Sequence, residues 1–256
     1  MVVGDFFDKE YRQKLLQLFL IDFKLRYNQT FLGVFWSFLK PLSLIITLLL
    51  VFSFMPSSID NFAVYLILGV IVWTYFQTTT TRLLKSLESN KDFIRKIPFK
   101  KQLLLQSTLI SETLNFFMLV IISLVIMPFL GVYPVLSITL LIPVFSLILL
   151  IYGLGSLLAI AYVYFKDIEY ITELAFTLGF FLTPIFYQVS MIPSQYLVLY
   201  MFNPLTRVIE SIRSSLFEGT LNGFMFELVT LLLSLSFFIV GVMIFYKYQE
   251  KLVDEL

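Results

Sequence analysis

The sequence predicts an all-α integral membrane protein with six transmembrane helices, an N-terminal amphipathic interface helix and short re-entrant gate helices between spans 5 and 6. Three observations carry this. The 256-residue chain is 59% hydrophobic and only 14% charged, whereas a soluble domain carries about a quarter charged residues. Six stretches reach the roughly 20 mostly apolar residues that cross ~30 Å of hydrocarbon. None alternates apolar with polar residues as a barrel strand would, and backbone satisfaction in lipid then leaves the α-helix.

The whole of 1–256 reads as one transmembrane domain. Its first element, residues 5–27, reads as a helix along the membrane surface. Glu10, Gln13, Lys14, Gln17 and Lys24 fall on one side at helical spacing, and Phe7, Tyr11, Leu15, Leu18 and Leu25 on another. Asp8, Arg12 and Asp22 project from the apolar side and must snorkel or pair. The mixed, partly acidic start is unlike a cleavable signal peptide. Such a helix serves equally as an interfacial anchor or as a dock for a partner.

The spans are placed at 31–54, 62–84, 102–130, 136–165, 170–187 and 223–246, with Pro- and Gly-bearing turns at 55–61 and 131–134 and a short polar turn at 165–169. Lysine and arginine set the orientation. The N-terminal segment holds Lys9, Arg12, Lys14, Lys24 and Arg26, and the segment after span two holds Lys85, Lys91, Arg95, Lys96, Lys100 and Lys101. Loops 55–61 and 131–135 hold none. Both termini are therefore expected in the cytoplasm, with Arg207 and Arg213 as an outer minority.

Residues 86–101 form a cytoplasmic loop too apolar for a freely solvated linker, with Leu87, Phe93, Ile94, Ile97 and Phe99 flanked by charge. A short helix there would press hydrophobic knobs into a partner; the plainer alternative is a basic segment that enforces topology and touches anionic lipid. Residues 183–222 carry Pro184, Pro193, Pro204 and Gly219 and cannot form one helix. Within them Leu205, Val208, Ile209, Ile212 and Leu216 share one face, and Arg207, Glu210, Ser211, Arg213 and Ser214 the other. The expectation is a pair of short outer helices, at 188–222, closing a pathway, because irregular backbone at membrane depth needs protein or a cavity beside it.

Lys40, Glu112 and Glu227 lie within spans, where an ionisable group must be paired or wetted. Lys40 and Glu112 sit about 15 Å along their helices at 1.5 Å per residue, which suggests that they pair or face one cavity. Glu227 is expected to snorkel outward. The many aromatic residues include Trp36, Trp73, Tyr75, Phe76, Phe181 and Tyr187. They read mainly as interfacial belts and core packing, with channel walls for stacking sugars as the sharper alternative. Gln77 and the four threonines 78–81 could meet sugar hydroxyls.

No cysteine or histidine occurs, which excludes disulfides, imidazole or thiolate metal sites and Ser-His-Asp chemistry. No metal site is expected. The net charge of +1 gives no pull toward nucleic acid. No Gly-x-x-x-x-Gly-Lys-Ser/Thr loop is present, so this chain cannot itself hydrolyse ATP.

The run from Asp22 to Leu42, with its basic-aromatic lead into Leu-Gly…Trp…Pro-Leu, resembles the entry of the permease subunits of ABC-2-type polysaccharide exporters, the O-antigen and teichoic acid type. Gly69…Trp73-Thr-Tyr-Phe76 and Asn90…Ile94-Arg-Lys-Ile-Pro-Phe99 resemble the family's second span and first coupling loop. Gly153…Phe165-Lys-Asp-Ile168 is similar to its second coupling turn. Thr183-Pro-Ile-Phe-Tyr187…Ile192-Pro193 and Phe202-Asn-Pro-Leu205…Ile212-Arg213…Gly219 resemble its outer gate helices. Lys100 and Lys101 depart from the proline and arginine expected after the phenylalanine.

The resemblance implies a homodimer of six-span subunits in a bacterial inner (plasma) membrane, contacting membrane lipids and bound to two cytoplasmic ATPase subunits. ATP and Mg would be held by that partner, and no cofactor by this chain. It implies export of a polyprenyl-pyrophosphate-linked polysaccharide. Phe93, Ile94, Arg95, Lys96 and Ile97 would touch the ATPase, with Lys166, Asp167 and Ile168 as a second contact. Arg26 and Tyr27 would meet the lipid pyrophosphate, with Trp36, Lys40, Trp73, Tyr75, Phe76, Glu112, Phe181 and Tyr187 along the channel. Pro184, Pro193, Pro204, Arg207, Glu210 and Arg213 would belong to the outer gate. Export of teichoic acid or capsular polysaccharide and a permease for drugs or other lipids are alternatives within the family. A membrane-embedded polyprenyl-phosphate glycosyltransferase is the alternative of another class; Asp167 and Glu169 are too meagre an acidic cluster for its metal.

Overall fold

The computed structural model describes residues 8–27, 35–52, 54, 59–96 and 99–250, the side chains of 25–27 excepted. These residues form helices α1 (Lys9–Tyr27), α2 (Phe35–Phe52), α3 (Phe62–Ser89), α4 (Lys91–Lys96), α5 (Gln102–Ile126), α6 (Leu141–Tyr164), α7 (Ile168–Leu182), α8 (Ser194–Phe202), α9 (Pro204–Phe217) and α10 (Phe224–Tyr248). No strand occurs among them. Short 3-10 turns at Met127–Leu130 and Ile138–Leu140 flank the α5–α6 connection, where Pro128 and a left-handed Gly131 (φ 80°) end the incoming helix.

Five helical segments are long and apolar enough to cross a membrane: Phe35–Phe52, Phe62–Ser89, Gln102–Leu130, Ile138–Tyr164 and Phe224–Tyr248. Four extend or trim the expected spans by a few residues, and 31–34 lie outside the described residues. The expected fifth span, 170–187, is not among these five. Helix α7 has 15 residues, about 22 Å at 1.5 Å per residue, short of a ~30 Å core. Pro184 ends it by forcing Thr183 into extended backbone (φ −96°, ψ 138°).

The second span is corrected. Helix α3 runs five residues past the expected end, through Ser89, because its last turns carry no proline or glycine and its charges find partners. The expected loop 86–101 is thus the end of α3, a turn at Asn90 and the six-residue α4.

Helix α6 is the centre of the packing, with α3 on one side and α10 on the other; α5 covers α3, and α9 lies against α6, α10 and α3. The α6–α10 crossing is backbone on backbone. A Cβ on Gly241 would stand 2.0 Å from the Gly153 carbonyl oxygen, and one on Gly153 2.4 Å from the Phe237 carbonyl. Small residues at a helix contact let dispersion and close approach replace the hydrophobic drive that lipid does not supply.

Helix α1 packs onto α5. Its predicted apolar side is borne out in part: Tyr11 and Leu15 are buried against Leu103, with Leu18 and Phe99 beside them. Tyr11 donates to Gln106 Oε1 (2.6 Å) and accepts from Gln102 Nε2 (2.9 Å). Tyr246 of α10 bonds the same Gln102. The α1 face is therefore satisfied by protein. Residues 5–7 lie outside the described residues.

Candidate functional site

At one end of the bundle, the last turns of α3 gather the pieces that the sequence scatters. Arg82, Lys85 and Glu88 follow one another at three-residue spacing and fall near one face. Arg82 donates to Glu112 of α5 (2.6 Å) and to Asp22 of α1 (2.7 Å). Lys85 pairs with Glu169 at the start of α7 (2.5 Å). Glu88 pairs with Lys91 of α4 (3.2 Å) and with Lys166 of the α6–α7 turn (2.5 Å). Tyr162 adds a hydrogen bond to Glu169 (2.9 Å). The hydrogen bond from Lys85, then that from Tyr162, hold the Glu169 carboxyl below its ordinary pKa.

The two expected coupling segments thus form one charged platform. Within it, Phe93, Arg95, Lys96, Lys166 and Asp167 are exposed and Ile168 is half-buried, whereas Ile94 is buried beneath α4. Ile94 is corrected from a contact residue to an anchor: a helix of six residues stays on the bundle only by turning an apolar side chain inward. Phe93 packs its ring on Phe99, 4.8 Å between centroids. Ile97 lies outside the described residues, as do the Arg26 and Tyr27 side chains.

The suggested Lys40–Glu112 pair is corrected. Glu112 is 3% exposed and takes Arg82, while Lys40 is exposed on α2. Arg82 was missed because it stands near the end of the expected span; the signal was present, a cation directly after four threonines.

Trp73, Tyr75 and Phe76 are buried. Tyr75 stacks on Phe116 at 4.4 Å and bonds Thr113 at 2.7 Å; Trp73 meets Phe180 and Phe176 edge-to-face and donates to Gln77. Trp73 and Phe76 line a mostly apolar cleft of about 260 Å³ walled by α3, α6 and α7 and closed by Asn203, Pro204, Leu205 and Phe237. These rings fill the interior, which corrects their reading as sugar-stacking channel walls. Trp36 and Phe181 are exposed and Tyr187 half-buried.

At the opposite end, the break after α7 leaves the buried carbonyls of Pro184 and Ile185 without helical partners. Orphaned carbonyls in a dry setting require donors. Arg213 of α9, 3% exposed, supplies them: Nη1 to Pro184 O (2.8 Å), Nη2 to Ile185 O (2.8 Å) and to Tyr65 O of α3 (3.0 Å). Glu210 neutralises it at 2.8 Å and the Tyr65 ring lies 3.3 Å from the guanidinium carbon. Gly69 leaves the space; a Cβ there would come within 2.6 Å of Arg213 and 3.0 Å of Ile185 O.

Arg207 points the other way, to Thr230 (3.0 Å) and the Phe226 carbonyl (2.7 Å) of α10. Ser211 donates to Glu227 at 2.7 Å, and Glu227 is 4% exposed, so its expected outward snorkel is corrected. The apolar face of α9 is buried, and so are Arg207, Ser211 and Arg213 of its polar face, with Glu210 and Ser214 half-buried. Pro204 opens α9 at its first turn, capped by the Asn203 side chain on Leu205 N–H; Pro193 is exposed ahead of α8.

Among the described residues a charged cluster lies at one end of the bundle and an arginine-stapled break at the other, with helices running between. Comparison with known proteins places it. The chain is 29% identical over 240 residues to an O-antigen export system permease protein of Klebsiella pneumoniae, covering 92% of each chain. It is 30% identical over 217 residues to one from Myxococcus xanthus, 83% of each chain. A polysialic acid transport protein of Escherichia coli is 26% identical over 235 residues, 86% of this chain and 90% of that one. Residues 13–217 match the ABC-2 type transporter family, and the chain is a multi-pass membrane protein belonging to that family.

Proposed function

We propose that this chain is the permease subunit of an ATP-driven exporter that moves a polyprenyl-pyrophosphate-linked polysaccharide, O-antigen-like, from the cytoplasm across the inner or plasma membrane. The observation that carries the reading is the end-to-end similarity to O-antigen export permeases, 92% of both chains. Two copies of the chain form the pathway and two separate ATPase subunits supply the work, since no nucleotide-binding loop occurs in these 256 residues. Residues 170–187 make a further crossing beside the five long helices, α8 and α9 gate the outer side, and both termini face the cytoplasm.

In this reading the ATPase docks on the platform at the inner end of α3, through Phe93, Arg95, Lys96, Lys166 and Asp167. Co-purification with the ATPase in detergent, followed by translocation of the lipid-linked glycan into vesicles, tests it. Translocation that needs both proteins and ATP supports the reading; a permease that transports alone, or a pair that never associates, refutes it. Arg95→Glu with Phe93→Asp is expected to abolish association. Capsular polysaccharide is the second cargo reading, favoured by the similarity to the polysialic acid transport protein; a competition between the two glycans in the same vesicles separates them.

A further inference from the structure

We infer that α3 and α7 form one frame pinned at both ends, and that Lys85, Glu88 and Arg213 are positioning residues through which a displacement of the 165–169 turn reaches the outer break at 183–187. The inference rests on the ATP-driven reading above and adds the path that the motion takes.

The inner pin consists of Lys85–Glu169 and Glu88–Lys166, which tie the end of α3 to the start of α7 and the turn before it. Glu88 also holds Lys91, so α4 is part of the same pin. The outer pin is Arg213, whose guanidinium binds the carbonyl of Tyr65 on α3 and those of Pro184 and Ile185 beyond α7. Between the pins the two helices are keyed: Trp73 packs between Phe176 and Phe180, and a Cβ on Gly179 would stand 3.0 Å from the Trp73 ring.

A rod transmits only where it has no hinge. From Tyr65 to Glu88 helix α3 runs about 34 Å at 1.5 Å per residue, without a proline, and its one glycine, Gly69, is packed against Arg213 itself. Arg213 belongs to α9, whose other arginine, Arg207, is bound to α10 through Thr230 and Phe226. Helix α9 is therefore strung between the frame and α10. Movement of one against the other must shift α9, the helix that covers the break.

The ion pairs of the inner pin are partly exposed, with side-chain exposures of 27–53%, and such pairs contribute little to stability. Their removal should leave the fold standing and cut the communication, which gives the test. Hydrogen exchange is measured on the detergent-purified permease carrying Lys85→Glu, Lys85→Met, Glu169→Lys or the swap Lys85→Glu/Glu169→Lys. In each single variant, amides of 183–187, at the far end of the frame, are expected to exchange about five-fold faster, the low end of couplings between distant sites. The swap is expected to restore the original rate, and melting temperatures to fall only slightly in the single variants. Changes confined to the inner end, or a swap that fails to restore the outer amides, would overturn the frame.

The same variants with the ATPase in vesicles are expected to deliver less glycan per ATP hydrolysed. Wild-type coupling in the single variants would count against the frame. If the outer amides respond as expected but the wild-type pair neither associates nor consumes ATP, the frame stands and the exporter reading falls.

Discussion

The Arg82 guanidinium lies 2.6 Å from the carboxylate of Glu112, a group 3% exposed on α5. Its second arm reaches Asp22 at 2.7 Å, so one cation joins α1, α3 and α5. Taking two charges out of water is costly, and a pair that has accepted that cost is most sensitive to the loss of one member.

Arg82→Met takes the paired cation from a carboxylate that is 3% exposed and is expected to destabilise the protein by about 3 kcal/mol, the low end for breaking a buried pair. Arg82→Met with Glu112→Gln should recover part of that loss, and Lys40→Met should cost little. Thermal unfolding in detergent ranks the three. A Lys40 variant as damaged as the Arg82 variant would show that the wrong cation has been assigned to Glu112.

Arg213→Met removes the donors from three buried carbonyls. A buried polar group left unsatisfied costs about 1–3 kcal/mol, and the change should show first as proteolytic cutting near 183–187, before global unfolding. Gly69→Ala should act in the same direction by crowding the guanidinium at 2.6 Å. Unchanged protease resistance in both would remove Arg213 from the outer staple.

Gly241→Ala places a methyl group where only 2.0 Å separates the Cβ position from the Gly153 carbonyl. Overpacking of this kind costs about 1–3 kcal/mol. A lowered melting temperature is expected for Gly241→Ala and for Gly153→Ala, whereas Gly131→Asn, at a left-handed turn with open space around it, should be near neutral. Equal melting temperatures for all three would mean that α6 and α10 do not cross this closely.

Glu169 gives a pH signature. Its carboxyl is held below the ordinary value by Lys85, so the folded state binds the proton more weakly than the unfolded chain. The resulting stability is present in full above the unfolded pKa, about 4.3 for glutamate, and disappears as the pH falls through the lower folded value. The stability gap between the wild type and Glu169→Gln should therefore be constant from pH 7 to 5 and close below pH ~4. It should also shrink in high salt, because the pair is exposed. A gap that widens on acidification would contradict the sign of the shift.

Composition and run length alone determined the class of this protein: apolar segments of membrane-crossing length, charged segments between them and neither cysteine nor histidine. These are properties of the chain in one dimension, and hydrocarbon enforces them residue by residue. Helix breaks were legible too, since Pro184, Pro204 and Gly131 act on their immediate neighbours. Tertiary structure decided everything that depends on residues distant in sequence. It matched Glu112 with Arg82 instead of Lys40 and turned Ile94 inward and Phe93 outward on a helix too short to show a period. It buried Arg213 beneath the carbonyl of Tyr65, 148 residues away, and made of Lys85, Glu88, Lys166 and Glu169 a single cluster. A charge in a span announces that it needs a partner, but which helix supplies one is set by how the helices pack.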